Sequence, residues 1–254
     1  MSLDGLRAVA DCGAWYAELR RTALQHHLTR ELGEYTCNIV GTAAVFTAID
    51  DPLRQIRAHR SPVASVGDPG RGGATIRWAW AAPDPDLPAD LRVAELRRAG
   101  ERLNVAGLLA PELPLPCPPD SLAPNVIAAT IGAVAVQLTG AGPDLRVDRA
   151  DGGFDVIMVT GLALPEPTFA DLVAALPTLL DAVPVGDHRV ALHGVAVRLG
   201  WHVVWQRIPE VGIDAGEVSH CVVTDGSSEI SLSFDVNGQP LDGQPLHGER
   251  ALPA

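Results

Sequence analysis

Between Glu34 and Ala81 the chain carries four short β-prone runs with no stretch long enough for a helical crossover. They are "EYTCNIVGTAAVFTAID" (34–50), which breaks into two at Gly41, then "QIRAHRSPVASVG" (55–67) and "ATIRWAWA" (74–81). Parallel neighbours need a crossover of a dozen or more residues. Connectors as short as Gly41 and "DPGRGG" (68–73) therefore predict an antiparallel meander of about four strands.

Helices flank the meander. Across 3–32, Leu6, Val9, Tyr16, Leu19, Leu24, Leu28 and Leu32 recur at steps that give an amphipathic helix, and Gly33 stops it. A second helix follows the meander. Asp84 or Asp86 can cap it, Pro88 suits its first turn, and Val93, Leu96, Gly100 and Leu103 share a face. Six prolines in "LLAPELPLPCPPDSLAP" (108–124) predict a stiff linker or surface crossover. An apolar helix at 125–139 comes next, then a hairpin at 145–162 turned at Asp151-Gly152-Gly153. Thr168 caps a further helix that contains Pro177. "HRVALHGVAVRLGWHVVWQ" (188–206) reads as one long or two short strands, and 217–225 with 229–238 as a last hairpin. The tail from about 239 has no period and reads as loose.

Strands in antiparallel clusters, packed with helices, make the fold class α+β. The chain divides into 1–160 and 161–254. Helix-then-strands order recurs at 3–81 and 166–238, which leaves room for a weak internal duplication, although no residue-level period supports one.

Composition excludes several chemistries. The net charge is −12, which repels phosphate and disfavours nucleic acid and anionic membranes. All nineteen basic residues are Arg. Without Lys there is no Schiff base and no Walker-type phosphate loop. Cys12, Cys37, Cys117 and Cys221 are scattered, which fits reduced thiols in a cytoplasmic protein. The N-terminus has no signal-peptide pattern, and the longest apolar run (126–136) is too short to span a bilayer. No cofactor motif is present.

The remaining candidates are weighed against plainer roles. "GDPGRGG" lacks a helix after it, so it reads as a hairpin loop rather than a phosphate cradle. His188, His193, His202 and His220 fall in one strand-rich stretch, but none has ligand spacing. A metal site at His188, His202 and His220 is the minority reading. "EVSHC" (217–221) puts Glu217 and Cys221 on one strand face and His220 on the other, which is no nucleophile set. Arg57 and Arg77 are candidates for anion binding if they share a cleft. Trp78 and Trp80 fall on one face of a strand, and Trp201 and Trp205 form a second stripe. Core filling is their ordinary role, and lining a ligand or partner site is the sharper one.

"ATIRWAWAAPDPDLPADLRVAELRRAGERLNV" resembles a bacterial, mainly actinobacterial, family of uncharacterised proteins. Its members carry a strand ending in Trp-Ala-Trp-Ala-Asn, a Pro-containing turn and a helix ending near Gly-Glu. Trp78-Ala79-Trp80-Ala81 and Gly100-Glu101 match, while Ala82 stands where the Asn is usual. The resemblance covers about 34–160 and implies no activity.

The expected function is a non-catalytic binding or interaction module for a protein or small molecule, with Trp78, Trp80, Arg57, Arg77, Trp201 and Trp205 as its site. The alternative is a small hydrolase or metal-dependent enzyme using His and carboxylate groups of 188–225. A homodimer through a strand edge or apolar sheet face is a further expectation.

Overall fold

The computed structural model describes residues 4–67, 75–81, 91–115, 123–140, 142–209 and 217–241. Helix α1 (Asp4–Leu32) lies at the centre, against α4 (Pro124–Thr139) and α6 (His188–Leu199). Its middle, Gly13 to Ala17, is buried all round, so the helix is amphipathic only towards its ends. Glycines make this enclosure feasible. A Cβ on Gly13 would run into the Ala133 carbonyl oxygen, and one on Gly194 into the Cys12 carbonyl oxygen. With no side chain at either point, α1 meets both neighbours backbone to backbone.

Seven antiparallel strands form a curled half-barrel sheet: β1 (Tyr35–Val40), β2 (Ala43–Ala48), β3 (Gln55–Val66), β4 (Thr75–Trp78), β5 (Glu112–Pro114), β6 (Asp144–Asp148) and β7 (Phe154–Thr160). β3 is its spine. His59 pairs with Ala43 and with Thr160, while Ala64 pairs with Trp78 and with Val156. A residue pairs once on each edge, so β2 and β4 lie end to end along one edge and β7 runs along the other. The expected meander is present, enlarged by the β6–β7 hairpin and by β5. A second sheet has the order β10-β9-β8, from β8 (His202–Pro209), β9 (Glu217–Thr224) and β10 (Glu229–Phe234). With helices α2 (Leu91–Leu103), α3 (Ala106–Leu109) and α5 (Phe169–Asp181), the fold is α+β. One apolar cluster joins Trp15, Trp78 and Phe154 to Leu176, Leu192 and Phe234, so the core runs unbroken across residue 160.

Four local expectations are corrected. Residues 188–199 are helix α6, not strand. The alternation of Val190 and Leu192 suggested a strand. However, the Asp187 carboxylate accepts from the Arg189 N–H, Gly200 closes the helix at φ +74°, and Ala191, Leu192, Val195 and Ala196 share the buried face. Strand β4 stops at Trp78, and Trp80 lies in the turn that follows. The start of the proline-rich linker folds into α3 and β5, and β5 sits at a sheet edge, where proline is tolerated. Leu103 is exposed rather than on the core face of α2.

The Asp84/Asp86 cap with Pro88 lies outside the described residues, and so does the tail read from about 239 except for 239–241. Residues 239–241 are tied in, with the Leu241 N–H donating to Ser233 and Pro240 bridged to Phe234. Among the described residues, no helix is long and apolar enough to cross a membrane.

Candidate functional site

A cavity of about 230 Å³ opens between α1, α4, β4 and the loop before α6. Leu6, Ala10, Ile76, Trp78, Ile127 and Ile131 form the main walls, with Pro184 to Gly186 closing one side. Each element brings apolar surface for a local reason. Pro124 opens α4 at its first position and Gly140 closes it in the left-handed region, which holds the apolar run at 125–139 in one helix. β4 ends where Trp78 turns into the core, with its ring fully buried.

The polar groups of the wall are nearly all committed. The Trp78 indole N–H donates to the Gly107 carbonyl at 2.8 Å. The Thr130 hydroxyl donates to the Val126 carbonyl at 2.8 Å. Asp11 accepts from the Gly186 N–H, 3.2 Å from each carboxylate oxygen. Burial raises the Asp11 carboxyl above the usual carboxylate range, against the pull of the Gly186 and Asp187 N–H groups. Arg7 is exposed at the rim one helical turn before Asp11 and makes no hydrogen bond or ion pair among the described residues.

A second, more charged recess of about 360 Å³ shares Val126 and Pro184 with the first. At its base Arg21 reaches both Asp144 oxygens, at 2.9 and 2.8 Å, and Glu18 at 2.6 Å. Burial pushes the Asp144 carboxyl up while Arg21 pulls it back. Burial also opposes the Arg21 charge, but Asp144 and Glu18 outweigh it and hold the guanidinium protonated. Gly132 leaves the space that the Asp144 carboxylate occupies. Arg21, Asp144 and Glu18 satisfy one another, so the charged part of this recess is an ion-pair network closed on itself.

Of the six residues singled out from sequence as a ligand or partner site, only Trp78 lines the first cavity. Trp80 is half-buried, its face covered by the Arg97 guanidinium at 5.2 Å. Arg77 pairs across the sheet with Glu112 at 2.6 Å. Arg57 is exposed on β3 eight positions before Ser65, the partner of Arg77. That separation is about 26 Å along the strand, so the two arginines share no cleft. Trp201 packs edge-on against Phe169, and Trp205 packs on Phe234. Trp78 belongs to the main apolar cluster, and Trp80, Trp201 and Trp205 pack against it.

The histidines are equally dispersed. His188 is buried against Trp15, with ring centroids 5.9 Å apart, and its Nδ1 has no partner among the described residues. His193 takes a long 3.5 Å contact from the Trp205 indole, His202 is exposed at the start of β8, and His220 meets Ser233 at 3.1 Å. Asp225 caps its own hairpin turn through the Ser227 and Ser228 N–H groups. Among the described residues, no three His, Cys, Asp or Glu side chains come together as a metal set. Burial pushes the Cys221 thiol up to about 12, so it is no nucleophile near neutral pH.

Sequence reasoning did not single out Arg7, Asp11, Thr130 or Pro184 to Gly186 as site residues. They carry no local signal, because four separate segments must converge before a cavity exists.

A family model matches residues 7–161, more than half of the chain. The chain belongs to DUF6882, a family of unknown function. The DUF6882 match begins earlier than the resemblance read from the tryptophan strand, and takes in nearly all of α1 as well as the whole seven-stranded sheet. It supplies most of the cavity wall, while Pro184 to Gly186 lie beyond it. No match to the chain was found among curated proteins or among solved structures.

Proposed function

We propose that this chain is a non-catalytic small-molecule-binding protein of a bacterial cytoplasm, with the cavity beside α1 as its site. One observation carries the reading. A cavity of about 230 Å³ is walled by Trp78, Ile127, Ile131 and other apolar side chains, with a charged pair at its rim. A concave, mainly apolar space with few polar groups is the ordinary form of a small-ligand site. Its size exceeds the roughly 150 Å³ that admits benzene in an engineered core cavity. Among the described lining residues Thr130 is committed to the backbone, the Asp11 carboxylate is held by the Gly186 N–H, and there is neither His nor Cys.

The test is a thermal-unfolding screen with toluene, phenol and indole on the wild-type chain and on Ala10→Phe, which fills the cavity from α1. A ligand at one hundred times its Kd stabilises by about 2.7 kcal/mol. For a chain of this size that is a rise of roughly 5–10 °C. The wild type is expected to shift with at least one compound and Ala10→Phe with none. Equal shifts in both, or none in either, contradict the proposal.

A further inference from the structure

We infer that the ligand is a free α-amino acid with an apolar side chain, its carboxylate against Arg7 and its ammonium against Asp11; the inference rests on the cavity being a ligand site. Arg7 and Asp11 both line the cavity and stand four residues apart on α1, so they share a face one turn from each other. They carry opposite charges and the Arg7 charge pulls on the Asp11 carboxyl, yet no hydrogen bond or ion pair within 4.0 Å joins them. Among the described residues the Arg7 guanidinium makes no hydrogen bond, which leaves its fork of donors for a carboxylate, the geometry in which guanidinium binds most strongly. Its place in the first turn of α1 adds the partial positive charge of the helix start. Asp11 spends part of its acceptor capacity on the Gly186 N–H, at 3.2 Å, and on the pull of the Asp187 N–H, and retains lone pairs for an ammonium.

The pairing selects a zwitterion. A simple carboxylic acid at Arg7 would sit beside the Asp11 charge, and a simple amine at Asp11 beside the Arg7 charge. A molecule bearing both groups on one carbon meets each charge with its complement. Among the described residues the rest of the wall is apolar except for Trp78 and Thr130, which are already bonded to Gly107 and Val126. The volume beyond the rim suits a benzyl or isobutyl side chain.

Calorimetric titration with four compounds of one phenyl body tests this: L-phenylalanine, 3-phenylpropionate, 2-phenylethylamine and toluene. L-Phenylalanine is expected to bind roughly tenfold or more tightly than either one-charge analogue, the scale of a charge-assisted contact. Arg7→Gln and Asp11→Asn are each expected to weaken L-phenylalanine by a similar factor and leave toluene unchanged, which also reports an intact cavity. If toluene binds but either analogue matches L-phenylalanine, or if Arg7→Gln has no effect, the zwitterion assignment is overturned while the cavity reading stands. If neither toluene nor L-phenylalanine binds, both are overturned.

Discussion

The Trp78 indole N–H donates to the Gly107 carbonyl oxygen at 2.8 Å, tying β4 to the helix that follows α2. The bond uses the ring's one polar atom and leaves carbon surface for the cavity. Trp78→Phe leaves a buried carbonyl without a donor, and the expected cost is about 1–3 kcal/mol. Trp78→Ala adds a void and should cost about 3–5 kcal/mol. Trp80 has no comparable bond and loses mainly its Arg97 contact, so Trp80→Phe should cost under about 1 kcal/mol. Urea unfolding of the three variants checks the order.

The glycine contacts of α1 make a second test. Gly13→Ala and Gly194→Ala put a methyl group where a neighbouring helix's carbonyl oxygen already lies. Each is expected to destabilise by about 1–3 kcal/mol, the range for overpacking. Gly5→Ala meets only Val105 Cγ1, at an ordinary 3.6 Å, and gains helix propensity. It should be neutral or stabilising by up to about 1 kcal/mol.

These contrasts show what could be read in the sequence. The β1 and β2 runs, the Thr168 cap and the β6–β7 turn are local signals and lie where their residues predict. Helix α6 was hidden because Val190, Leu192, Val195 and Val197 suit either period, and its Asp187 cap and Gly200 stop gain meaning only once the helix exists. β5 was hidden because prolines argue against a strand until an edge is available for it. Trp78 was legible as a large aromatic. Arg7 and Asp11 were two charges among many until α4 and the loop before α6 closed around them.

His188 gives the chain an acid-sensitive point. Burial holds its imidazole below the usual histidine range, with Asp187 opposing weakly. The unfolded chain therefore takes up this proton first. The stability contribution is fully present above the unfolded value, about 6.5. It falls as pH drops through that value and levels off below the folded one. Thermal unfolding between pH 7.5 and 5 should show a declining midpoint in the wild type and a shallower decline in His188→Leu. Parallel curves would remove His188 as the cause.

The Arg21–Asp144 pair predicts a large single-site effect. Asp144 is 4% exposed and accepts from Arg21 at both carboxylate oxygens. Asp144→Ala leaves the guanidinium without its buried partner, and the expected loss is about 3 kcal/mol. A loss under about 1 kcal/mol in urea unfolding would place the pair among surface ion pairs instead.

The central claim, that the cavity beside α1 is a ligand site, is tested most directly by indole calorimetry at several temperatures on the wild type and Ala10→Phe. The account predicts one site in the wild type with a negative heat-capacity change, the mark of apolar burial, and no binding in a folded Ala10→Phe. Equal binding by the two chains, or silence from the wild type, would contradict it.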